Sequence, residues 1–284
     1  MNANSLPPVL VINSWLQSAS SQLKAANIAS AHLDAELILA HTLRKNRTYL
    51  HAHSDDILEP RVQEIADARL ALRLDHVPIA YIVGYKEFYG RRFSVTTDTL
   101  IPRPESESII DSLKELVPDN LLPFNGTRLR LVDVGTGSGC LGITAKLELP
   151  ELEVTLMDIS LPALTVATTN AKRLHANVTI RKSDLLQNYP LPADVIVANL
   201  PYVDPLWERS PDTNHEPTLA LFADDGGKAL INKLIDQSVA ILNPQGLLLL
   251  EADPQQHAPI IAFAGQKGFQ LVRKQEYCIA LKLS

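Results

Sequence analysis

The chain has 284 residues, of which 46% are hydrophobic and 20% are charged, so it can bury a substantial core and is not globally disordered. Its 26 basic and 32 acidic residues leave a net charge of −6. A dedicated nucleic-acid binder usually has a basic excess, because contacts to phosphate supply much of its affinity. The two cysteines, Cys140 and Cys278, are too few for a disulfide scaffold or a cysteine-bound zinc. We therefore expect a cytoplasmic protein.

The sequence does not have the pattern of a membrane span or of a signal peptide. Its longest apolar runs, around 195–197 and 247–250, are far shorter than the roughly 18 residues that a helix needs to cross a bilayer. The first residues lack a basic stretch followed by a long apolar core. We expect no contact with membranes.

Residues from about 9 to 76 have the spacing of apolar side chains that is typical of helices. Ser30 is a candidate N-cap for one helix, and Pro60 suits the first turn of another. The apolar positions at helical spacing are Leu33, Leu37 and Ile38 in the first, and Val62, Ile65, Leu70 and Leu72 in the second. Because no strand-like alternation interrupts the region, we predict a small helical bundle over residues 1–77.

Residues 78–107 are predicted to form a β-hairpin and a linker. Aromatic and β-branched residues flank Tyr89 and Gly90, which is typical of a tight turn. Two prolines at 102 and 104 then favour an extended path before a helix from about 105 to 116. A loop rich in proline, asparagine and glycine over 117–127 separates that helix from the rest of the chain.

From Leu129 onward, short apolar strands alternate with helical stretches. This alternation is typical of a parallel sheet with helices on both faces, so residues 108–284 are predicted to form an α/β domain. The predicted strands lie at 129–134, 153–159, 177–182, 193–199 and 246–252. Two further runs at 269–277 and 278–284 are too close together for a crossover helix, so they should pair antiparallel.

A glycine-rich turn follows the first of these strands and leads into a helix. Its residues are Gly135, Thr136, Gly137, Ser138 and Gly139. Glycines allow a tight turn and let a ligand approach the backbone closely at a helix N-terminus. An ordinary strand-to-helix turn would use the same residues, so the motif by itself does not identify a ligand. The strand before it and the helix after it favour a nucleotide-like ligand.

Acidic residues follow the next two strands. Asp158 ends the second strand, where a carboxylate can accept hydrogen bonds from both hydroxyls of a ribose. It could also cap the next helix, a role that Ser160 could fill instead. The position suits NAD and S-adenosylmethionine enzymes alike. Asp184 could bind an exocyclic adenine amine, with Leu185 packing on the ring, or it could bond local backbone amides.

The sequence Asn199-Leu200-Pro201-Tyr202 ends the strand over 193–199. A planar NH2 group is a weak nucleophile because its lone pair is delocalised. The Asn199 side-chain oxygen and a backbone carbonyl can each accept one hydrogen bond from such a group, which aims its nitrogen at an electrophilic methyl. The Tyr202 ring can stack on the group. An ordinary turn would also contain asparagine and proline, but the three preceding features would meet this motif at the carboxyl edge of the sheet.

The chain resembles the peptide chain release factor glutamine methyltransferases, which are S-adenosylmethionine enzymes of the Rossmann-like class. The resemblance covers nearly the whole chain and includes PIAYIVGYKEFYGRRF, LIPRPESE, LVDVGTGSGC, MDIS, the Asn-x-Pro-Tyr motif and HEPTLALFADDGG. The run from Tyr81 to Glu107 is the most discriminating part, because other methyltransferases lack it. The resemblance implies methylation of the side-chain amide nitrogen of the glutamine in a Gly-Gly-Gln motif, with S-adenosyl-L-homocysteine as the second product.

The resemblance also implies roles for single residues. It assigns cofactor binding to the turn from Gly135 to Gly139, Asp158 and Leu185, to which we add Asp184 and Asn199 as expected cofactor ligands. It assigns the glutamine amide to Asn199, Leu200, Pro201 and Tyr202, and it places Arg103 and Glu105 in a segment that closes over the cofactor and meets the substrate. We expect the N-terminal helices to bind a class 1 release factor. We expect a monomer without a metal or a nucleic-acid partner.

Two departures from the family pattern bear on the substrate. The family usually has Asn-Pro-Pro-Tyr, whereas Leu200 takes the second position here. Because that residue would act through its backbone carbonyl, we expect the chemistry to survive with a less rigid loop. Asn-Leu-Pro-Tyr is also similar to the motif of ribosomal RNA adenine dimethyltransferases. The ending QEYCIALKLS replaces the strand pair with Asp, Gly and Arg that the family commonly has, which bears on substrate recognition at that edge.

Three functions are compatible with the sequence. The one that it favours most is N5-methylation of a protein glutamine. An N6-adenine methyltransferase acting on RNA or DNA would use the same motif, but the acidic charge and the segment IPRPESE count against it. A binding domain without turnover is the third, and the intact turn, Asp158, Asn199 and Tyr202 count against it. The sequence does not say which release factor, or whether a ribosomal protein, is the substrate.

Other residues have simpler interpretations. His51 and His53 lack acidic or cysteine ligands nearby in the sequence, so they are predicted to lie at a solvated helix end rather than on a metal. Residues 224–227 are predicted to form a loop and a helix start rather than a magnesium site. Cys140 is expected to be a small buried residue and Met157 a core residue.

Overall fold

The chain folds into two compact units in the computed structural model, which describes residues 10–120 and 128–284. Of the described residues, those up to Gly84 and Ser210–His215 form the first unit, and the others form the second. The first unit thus extends beyond the predicted boundary at residue 77 and takes in a segment from much later in the sequence. No helix in the described part of the chain is both long enough and apolar enough to cross a membrane.

The first unit is helical, as predicted. Its helices are α1 (Ile12–Ala25), α2 (Ala31–Leu43), α3 (Arg47–Ala52), α4 (Pro60–Leu74) and α5 (Ile79–Val83). Pro60 occupies the first position of α4, where its missing N–H is not needed. Asn46 caps α3 by accepting a hydrogen bond from the Tyr49 N–H at 2.9 Å. Ser30 precedes α2, but its hydroxyl donates to the Asp34 carboxylate at 2.8 Å instead of capping the backbone.

Helical spacing predicts the core of this unit only in part. Ile38 and Leu70 are buried, whereas Leu33, Ile65 and Leu72 are 42%, 41% and 49% exposed. Alanines on α2 and α4 are fully buried in their place. Small side chains let packed helices approach closely. The helix faces that are buried therefore carry alanines, and some of the largest apolar residues lie on the exposed faces.

Arg73 on α4 holds the segment Ser210–His215 within the first unit. Its guanidinium donates to the buried Asp34 carboxylate at 2.7 Å and lies 3.0 Å from the Asp212 carboxylate. The His215 ring adds a hydrogen bond of 2.8 Å to the carbonyl of residue 75. Two carboxylates thus compensate one buried cation, which offsets the loss of its hydration.

The second unit contains a hairpin, a seven-stranded sheet and six helices in its described part. The hairpin strands are β1 (Tyr85–Phe88) and β2 (Arg91–Ser94). The sheet strands are β3 (Arg130–Val134), β4 (Glu153–Asp158), β5 (Thr179–Lys182), β6 (Ala193–Ala198), β7 (Leu242–Glu251), β8 (Phe269–Gln275) and β9 (Cys278–Leu283). The helices are α6 (Glu107–Asn120), α7 (Cys140–Glu148), α8 (Leu161–Arg173), α9 (Thr218–Leu221), α10 (Ala229–Ile241) and α11 (His257–Gln266).

The strand order β5–β4–β3–β6–β7–β9–β8 makes the sheet parallel as far as β7 and antiparallel at its last two strands. Alternate residues of β3 face opposite apolar clusters, with Leu131 in one and Val132 and Val134 in the other. Burial on both faces explains the nearly continuous apolar runs of these strands. The predicted Rossmann-like fold with a preceding helical region and an antiparallel end is confirmed.

The predicted hairpin is also confirmed, with Tyr89 and Gly90 at its turn in left-handed conformations of φ 49° and 71°. The helix predicted to start near 105 begins at Glu107 and continues to Asn120, so it takes in the first residues of the predicted loop. The remainder of that loop, residues 121–127, lies outside the described residues.

Asn170 on α8 joins the hairpin to the glycine-rich turn. Its fully buried side chain accepts a hydrogen bond from the Ser94 N–H at 2.8 Å and donates to the Ser94 carbonyl at 3.0 Å. It also donates to the Ser138 carbonyl at 2.9 Å. One amide therefore satisfies three backbone groups that would otherwise be buried without partners.

Replacing Asn170 tests this connection. Asn170→Ala leaves the three backbone groups unsatisfied, so we expect the free energy of unfolding to fall by about 2–4 kcal/mol. The matched control is Thr169→Ala, an exposed position on the same helix, for which we expect a change within about 0.5 kcal/mol. Urea unfolding followed by circular dichroism measures both. Equal effects of the two substitutions would contradict the assignment.

Candidate functional site

A cavity opens at the carboxyl edge of the parallel strands in the second unit. Its wall includes Gly135 after β3, Asp158 at the end of β4, Asp184 after β5 and Asn199 after β6. The four features singled out in the sequence therefore line one cavity. This is the edge at which open α/β folds bind ligands, because the loops that follow successive strands converge there.

The glycine-rich turn is held by hydrogen bonds of its own backbone. Four of its five N–H groups donate within the protein at 2.8–2.9 Å, namely those of Gly135, Thr136, Gly137 and Gly139. The acceptors are the Met157 carbonyl, the Asp158 carboxylate and the Thr136 carbonyl. A phosphate-binding turn needs such N–H groups free to point at its anion. This turn therefore is not built as a phosphate cradle.

Two glycines of the turn serve different needs. Gly139 caps α7 at φ 83°, and a Cβ there would lie 2.7 Å from the Ile143 side chain. Gly137 has φ 54°, and a Cβ there would meet no atom within 4 Å. The first is required for packing and backbone conformation, and the second leaves the wall of the cavity open to a ligand.

The cavity wall is acidic. Asp98, Asp158 and Asp184 contribute to it, and no lysine, arginine or histidine among the described residues lines it. A pyrophosphate would find no lining cation and at most one free N–H of the turn here, whereas a sulfonium cation would meet compensating charge. Of the two cofactor classes that Asp158 leaves open, the wall fits S-adenosylmethionine and does not fit NAD.

The Asp158 carboxylate is anchored by two backbone groups. One oxygen accepts from the Gly137 N–H and the other from the Ser160 N–H, both at 2.9 Å. Burial raises the pKa of Asp158, and these hydrogen bonds oppose the rise. Ser160 caps α8 with its own hydroxyl, so Asp158 is not needed for that role. Each carboxylate oxygen keeps a lone pair that can accept a ribose hydroxyl.

Asp184 and Leu185 form the next part of the wall. The Asp184 carboxylate accepts from the Gln187 side chain at 2.9 Å and pairs with Lys233 at 2.8 Å. Asp184 therefore makes a local hydrogen bond and also lines the cavity. Leu185 is buried in a left-handed conformation at φ 49° and gives the wall an apolar surface.

The Asn199 side chain belongs to a hydrogen-bonded chain of four residues. Its Nδ2 donates to the Ser106 hydroxyl at 2.9 Å, and that hydroxyl donates to the Glu251 carboxylate at 2.5 Å. The Tyr202 hydroxyl donates to the other oxygen of Glu251 at 2.9 Å. Ser106 and Glu251 are both 1% exposed, so water does not replace these partners. Both ends of the Asn-Leu-Pro-Tyr motif are thus held by one buried carboxylate.

Sequence reasoning missed Ser106 and Glu251. Glu251 ends the buried run of four leucines in β7, as Asp158 ends β4. A polar residue that ends a buried strand at this edge of the sheet was the available signal. Ser106 carries no comparable signal, because it is one of two serines in a polar helix start.

Leu200 packs on the glycine-rich turn. A Cβ at Gly135 would lie 2.7 Å from Leu200 Cδ2, and Leu200 itself is only 4% exposed. Leu200 and Pro201 both line the cavity. The leucine that replaces the usual proline is therefore held by packing, which restricts the loop by a different means.

The segment predicted as a loop, residues 224–227, packs against the backbone of Tyr202 in the Asn-Leu-Pro-Tyr motif. Three successive residues, Asp225, Gly226 and Gly227, adopt left-handed conformations. A Cβ at Gly227 would lie 1.9 Å from the Tyr202 carbonyl oxygen, so only glycine fits there. Gln256 Nε2 donates to the same carbonyl at 2.8 Å and to the Gly226 carbonyl at 2.7 Å. The loop prediction is confirmed, and its glycines allow a close approach to the motif.

Arg103 and Glu105 lie in different surroundings. The Arg103 guanidinium pairs with the buried Glu216 carboxylate, which also accepts from the Ile101 N–H at 3.1 Å. These contacts tie the segment 98–106, part of which lines the cavity, to the start of α9. Glu105 is exposed on a 3₁₀ turn and is not among the residues that line the cavity.

Asp133, next to the last residue of β3, binds the glycine-rich turn and the start of α7 through its carboxylate. Its fully buried Oδ2 accepts from the Thr136 hydroxyl at 2.5 Å and from the Gly142 N–H at 2.9 Å. A Cβ at Gly142 would lie 2.9 Å from the Asp133 side chain. Burial raises the pKa of Asp133 to about 6.

This raised pKa predicts a pH-dependent stability. An aspartate in an unfolded chain titrates near about 3.9. The native state therefore binds the proton more tightly, so the stabilisation is fully present below pH 3.9 and is lost as pH rises through about 6. We expect the unfolding free energy of wild type minus that of Asp133→Asn to fall by about 2 kcal/mol between pH 4 and 7. Urea unfolding across this range measures it, and a constant difference would refute the prediction.

His51 and His53 are exposed at the end of α3, which confirms the predicted solvated helix end, but His51 also has an acidic partner. Its ring lies 3.0 Å from the buried Glu36 carboxylate, which also pairs with Arg47. The sequence did not reveal this because the two residues lie on different helices. His53 stacks on the Tyr49 ring instead. Within residues 10–120 and 128–284, no group of three or more His, Cys, Asp or Glu side chains is placed to hold a metal ion.

Cys140 and Met157 differ in burial. Met157 is fully buried in the core, as predicted. Cys140 is half-buried and lines the cavity, so the prediction of a buried residue is wrong. Burial nevertheless raises the pKa of its thiol to about 12, which leaves it protonated and unreactive near neutral pH.

Comparison with known proteins identifies the family. Residues 14–84 match the PrmC N-terminal domain, and residues 106–216 match the methyltransferase small domain. The release factor glutamine methyltransferase of Koribacter versatilis is 38% identical over 257 residues, which cover 86% of this chain and 89% of that protein. The chain belongs to the release factor glutamine methyltransferase family.

Two further matches show how this family member relates to other methyltransferases. The bifunctional methyltransferase of Rickettsia felis is 32% identical over 287 residues, and the match covers 92% of this chain and 54% of that protein. A methyltransferase from Pyrococcus furiosus has the same fold, with a TM-score of 0.50 and 18% identity over 76% of this chain and 95% of that one. The resemblance found in the sequence is confirmed.

Proposed function

We propose that this protein transfers a methyl group from S-adenosyl-L-methionine to the side-chain amide nitrogen of the glutamine in the Gly-Gly-Gln motif of a class 1 peptide chain release factor. The observation that carries the proposal is the position of Asn199, which lines an acidic cavity while its amide is tied to Ser106. Membership of the release factor glutamine methyltransferase family supports the choice of substrate. Such a substrate also favours a cytoplasmic location.

The residues around the cavity suit the parts of the cofactor. The Asp158 carboxylate has lone pairs for the ribose hydroxyls, Asp184 can accept from the adenine amine, and Leu185 offers an apolar surface to the ring. The turn over 135–139 is open at Gly137. The cofactor supplies an electrophilic methyl group, and the acidic wall favours its positive charge.

Asn199 and Leu200 act on the substrate amide. Because Asn199 Nδ2 donates to Ser106, its Oδ1 is left to accept one N–H of the glutamine. The Leu200 carbonyl accepts the other. The two acceptors orient the nitrogen and stabilise the positive charge that develops on it as it bonds to the methyl group. Pro201 shapes the wall, and the Tyr202 ring packs against the planar amide.

Residues outside the cavity serve the protein substrate. Arg103 holds the segment 98–106 through Glu216, and we assign contact with the release factor to Glu105, which is exposed. We assign binding of the release factor to the helical unit, because its residues 14–84 match the N-terminal domain of the family and lie outside the match to the methyltransferase domain.

Asp158→Asn tests the cofactor site. The substitution keeps the size of the side chain but removes its charge and one acceptor, so we expect the dissociation constant for S-adenosyl-L-methionine to rise by about 10- to 100-fold. The control is Asp236→Asn, an exposed carboxylate on α10 that pairs with Lys267, which should leave the constant unchanged. Isothermal titration calorimetry measures both. Unchanged affinity in Asp158→Asn would remove Asp158 from the cofactor site.

Asn199→Ala tests the catalytic assignment. Because the side chain would act mainly in the transition state, we expect the single-turnover rate of methyl transfer to fall by about 10²- to 10³-fold, with cofactor affinity changed much less. The assay uses intact release factor and labelled cofactor, and mass spectrometry identifies the modified residue. Methylation at a residue other than the Gly-Gly-Gln glutamine, or of RNA alone, would overturn the proposed function. A wild-type rate in Asn199→Ala would overturn the role of Asn199.

A further inference from the structure

We infer that Ser106 and Glu251 form a relay that fixes which way the Asn199 amide faces, and that both are positioning residues for methyl transfer. The inference rests on the proposed function and deepens it, because neither residue belongs to the Asn-Leu-Pro-Tyr motif. Ser106 lies at the end of a short 3₁₀ turn before α6, and Glu251 ends β7. The relay therefore joins two parts of the second unit to the end of β6.

The direction of the relay follows from the single proton of a hydroxyl. Glu251 accepts hydrogen bonds at both oxygens, one from Ser106 at 2.5 Å and one from Tyr202 at 2.9 Å. Since the Ser106 proton is directed to Glu251, its oxygen can only accept from Asn199. The group that Asn199 turns toward Ser106 is therefore its NH2. The carbonyl oxygen Oδ1 must then point away from Ser106.

An amide that is not fixed in this way has two orientations of similar shape. A rotation of 180° about the last side-chain bond exchanges Oδ1 and Nδ2. The exchanged orientation would present an NH2 donor to the NH2 of the substrate, and two donors cannot bond each other. Without Glu251, the Ser106 hydroxyl could donate to Oδ1 and stabilise that unproductive orientation. The relay removes this alternative.

Burial makes the relay rigid. Ser106 and Glu251 are each 1% exposed, so the hydroxyl proton has no solvent acceptor to choose instead. Burial also raises the pKa of Glu251, while the hydrogen bonds from Ser106 and Tyr202 oppose the rise. Nearby charges act in both directions, since Glu105 raises this pKa and Arg103 lowers it. Two hydroxyl donors leave both carboxylate oxygens occupied as acceptors.

The test compares Ser106→Ala and Glu251→Gln with a control that loses an equally buried hydroxyl. Ser238 in α10 is fully buried, and its hydroxyl donates to the Leu234 carbonyl of the same helix at 2.7 Å. Ser238→Ala thus reproduces the loss of a buried hydroxyl away from the site. In Glu251→Gln, one of the two carboxylate oxygens is replaced by an NH2 donor. Only one of the two hydroxyl protons, from Ser106 or Tyr202, therefore keeps its acceptor.

The first readout does not depend on activity. Nuclear magnetic resonance of the full chain, with the Asn199 side-chain signals assigned by their loss in Asn199→Ala, reports hydrogen exchange of the Nδ2 protons. We expect exchange to become about tenfold faster in Ser106→Ala and in Glu251→Gln, because the protecting hydrogen bond is lost or reversed. Ser238→Ala should leave the exchange unchanged. Unchanged exchange in both relay variants would overturn the relay.

The second readout is single-turnover methyl transfer to intact release factor. Ser106→Ala and Glu251→Gln should each lower the rate by about 10- to 100-fold at saturating substrate, with the dissociation constant for the cofactor within about threefold of wild type. Ser238→Ala should retain the wild-type rate. A wild-type rate in the relay variants would overturn their positioning role even if the exchange rates change.

A double-mutant cycle shows whether Ser106 acts through Asn199. In the Asn199→Ala background, Ser106→Ala should change the rate by less than about threefold, because the group that it orients is absent. An equal fold-reduction in both backgrounds would overturn the relay, since Ser106 would then act independently. If wild-type protein fails to methylate release factor, the proposed function fails, while the exchange measurement still decides the relay.

Discussion

Glu251 is a carboxylate removed from water, and the geometry of the candidate active site depends on how it is compensated. A buried anion without partners would destabilise the fold by several kcal/mol, so hydroxyl donors must be brought to it. Ser106 and Tyr202 are those donors, and Asn199 is bound through Ser106. The requirement to satisfy one buried charge thus places the two ends of the Asn-Leu-Pro-Tyr motif.

The same requirement shapes the other side of the cavity. Asp133 lies next to the last residue of β3 and Asp158 ends the neighbouring β4. Asp133 accepts hydrogen bonds from Thr136 and Gly142, and Asp158 accepts them from Gly137 and Ser160. Together with the Met157 and Thr136 carbonyls, Asp158 accepts hydrogen bonds from four of the five N–H groups of the turn, so the turn is unsuited to phosphate. Asp98, Asp158 and Asp184 are the only charged residues that line the cavity in the described part of the chain. Asp158 therefore both holds the turn and contributes negative charge to the cavity wall.

The sequence by itself determined the fold class, the family and the positions at the sheet edge. Periodicity separated the helical unit from the α/β unit because the two buried surfaces repeat at different spacings. Parallel topology then brought Gly137, Asp158, Asp184 and Asn199 to one edge, since every strand of that kind ends there. Leu200 was expected to preserve the chemistry in place of the usual proline, because the backbone carbonyl that it would use is present in every residue.

Only the tertiary structure decided which distant residues complete these positions. Ser106 meets Asn199 across 93 positions of sequence, Glu251 meets Tyr202 across 49, and Asn170 meets Ser94 across 76. Such pairs leave no periodic or local signal, because they arise when separate elements pack and buried polar groups must find partners. The exposure of Leu33 and Leu72 has the same origin, since close helix packing selected smaller residues for burial. Sequence pattern thus places a residue on an element, and packing between elements decides what it touches.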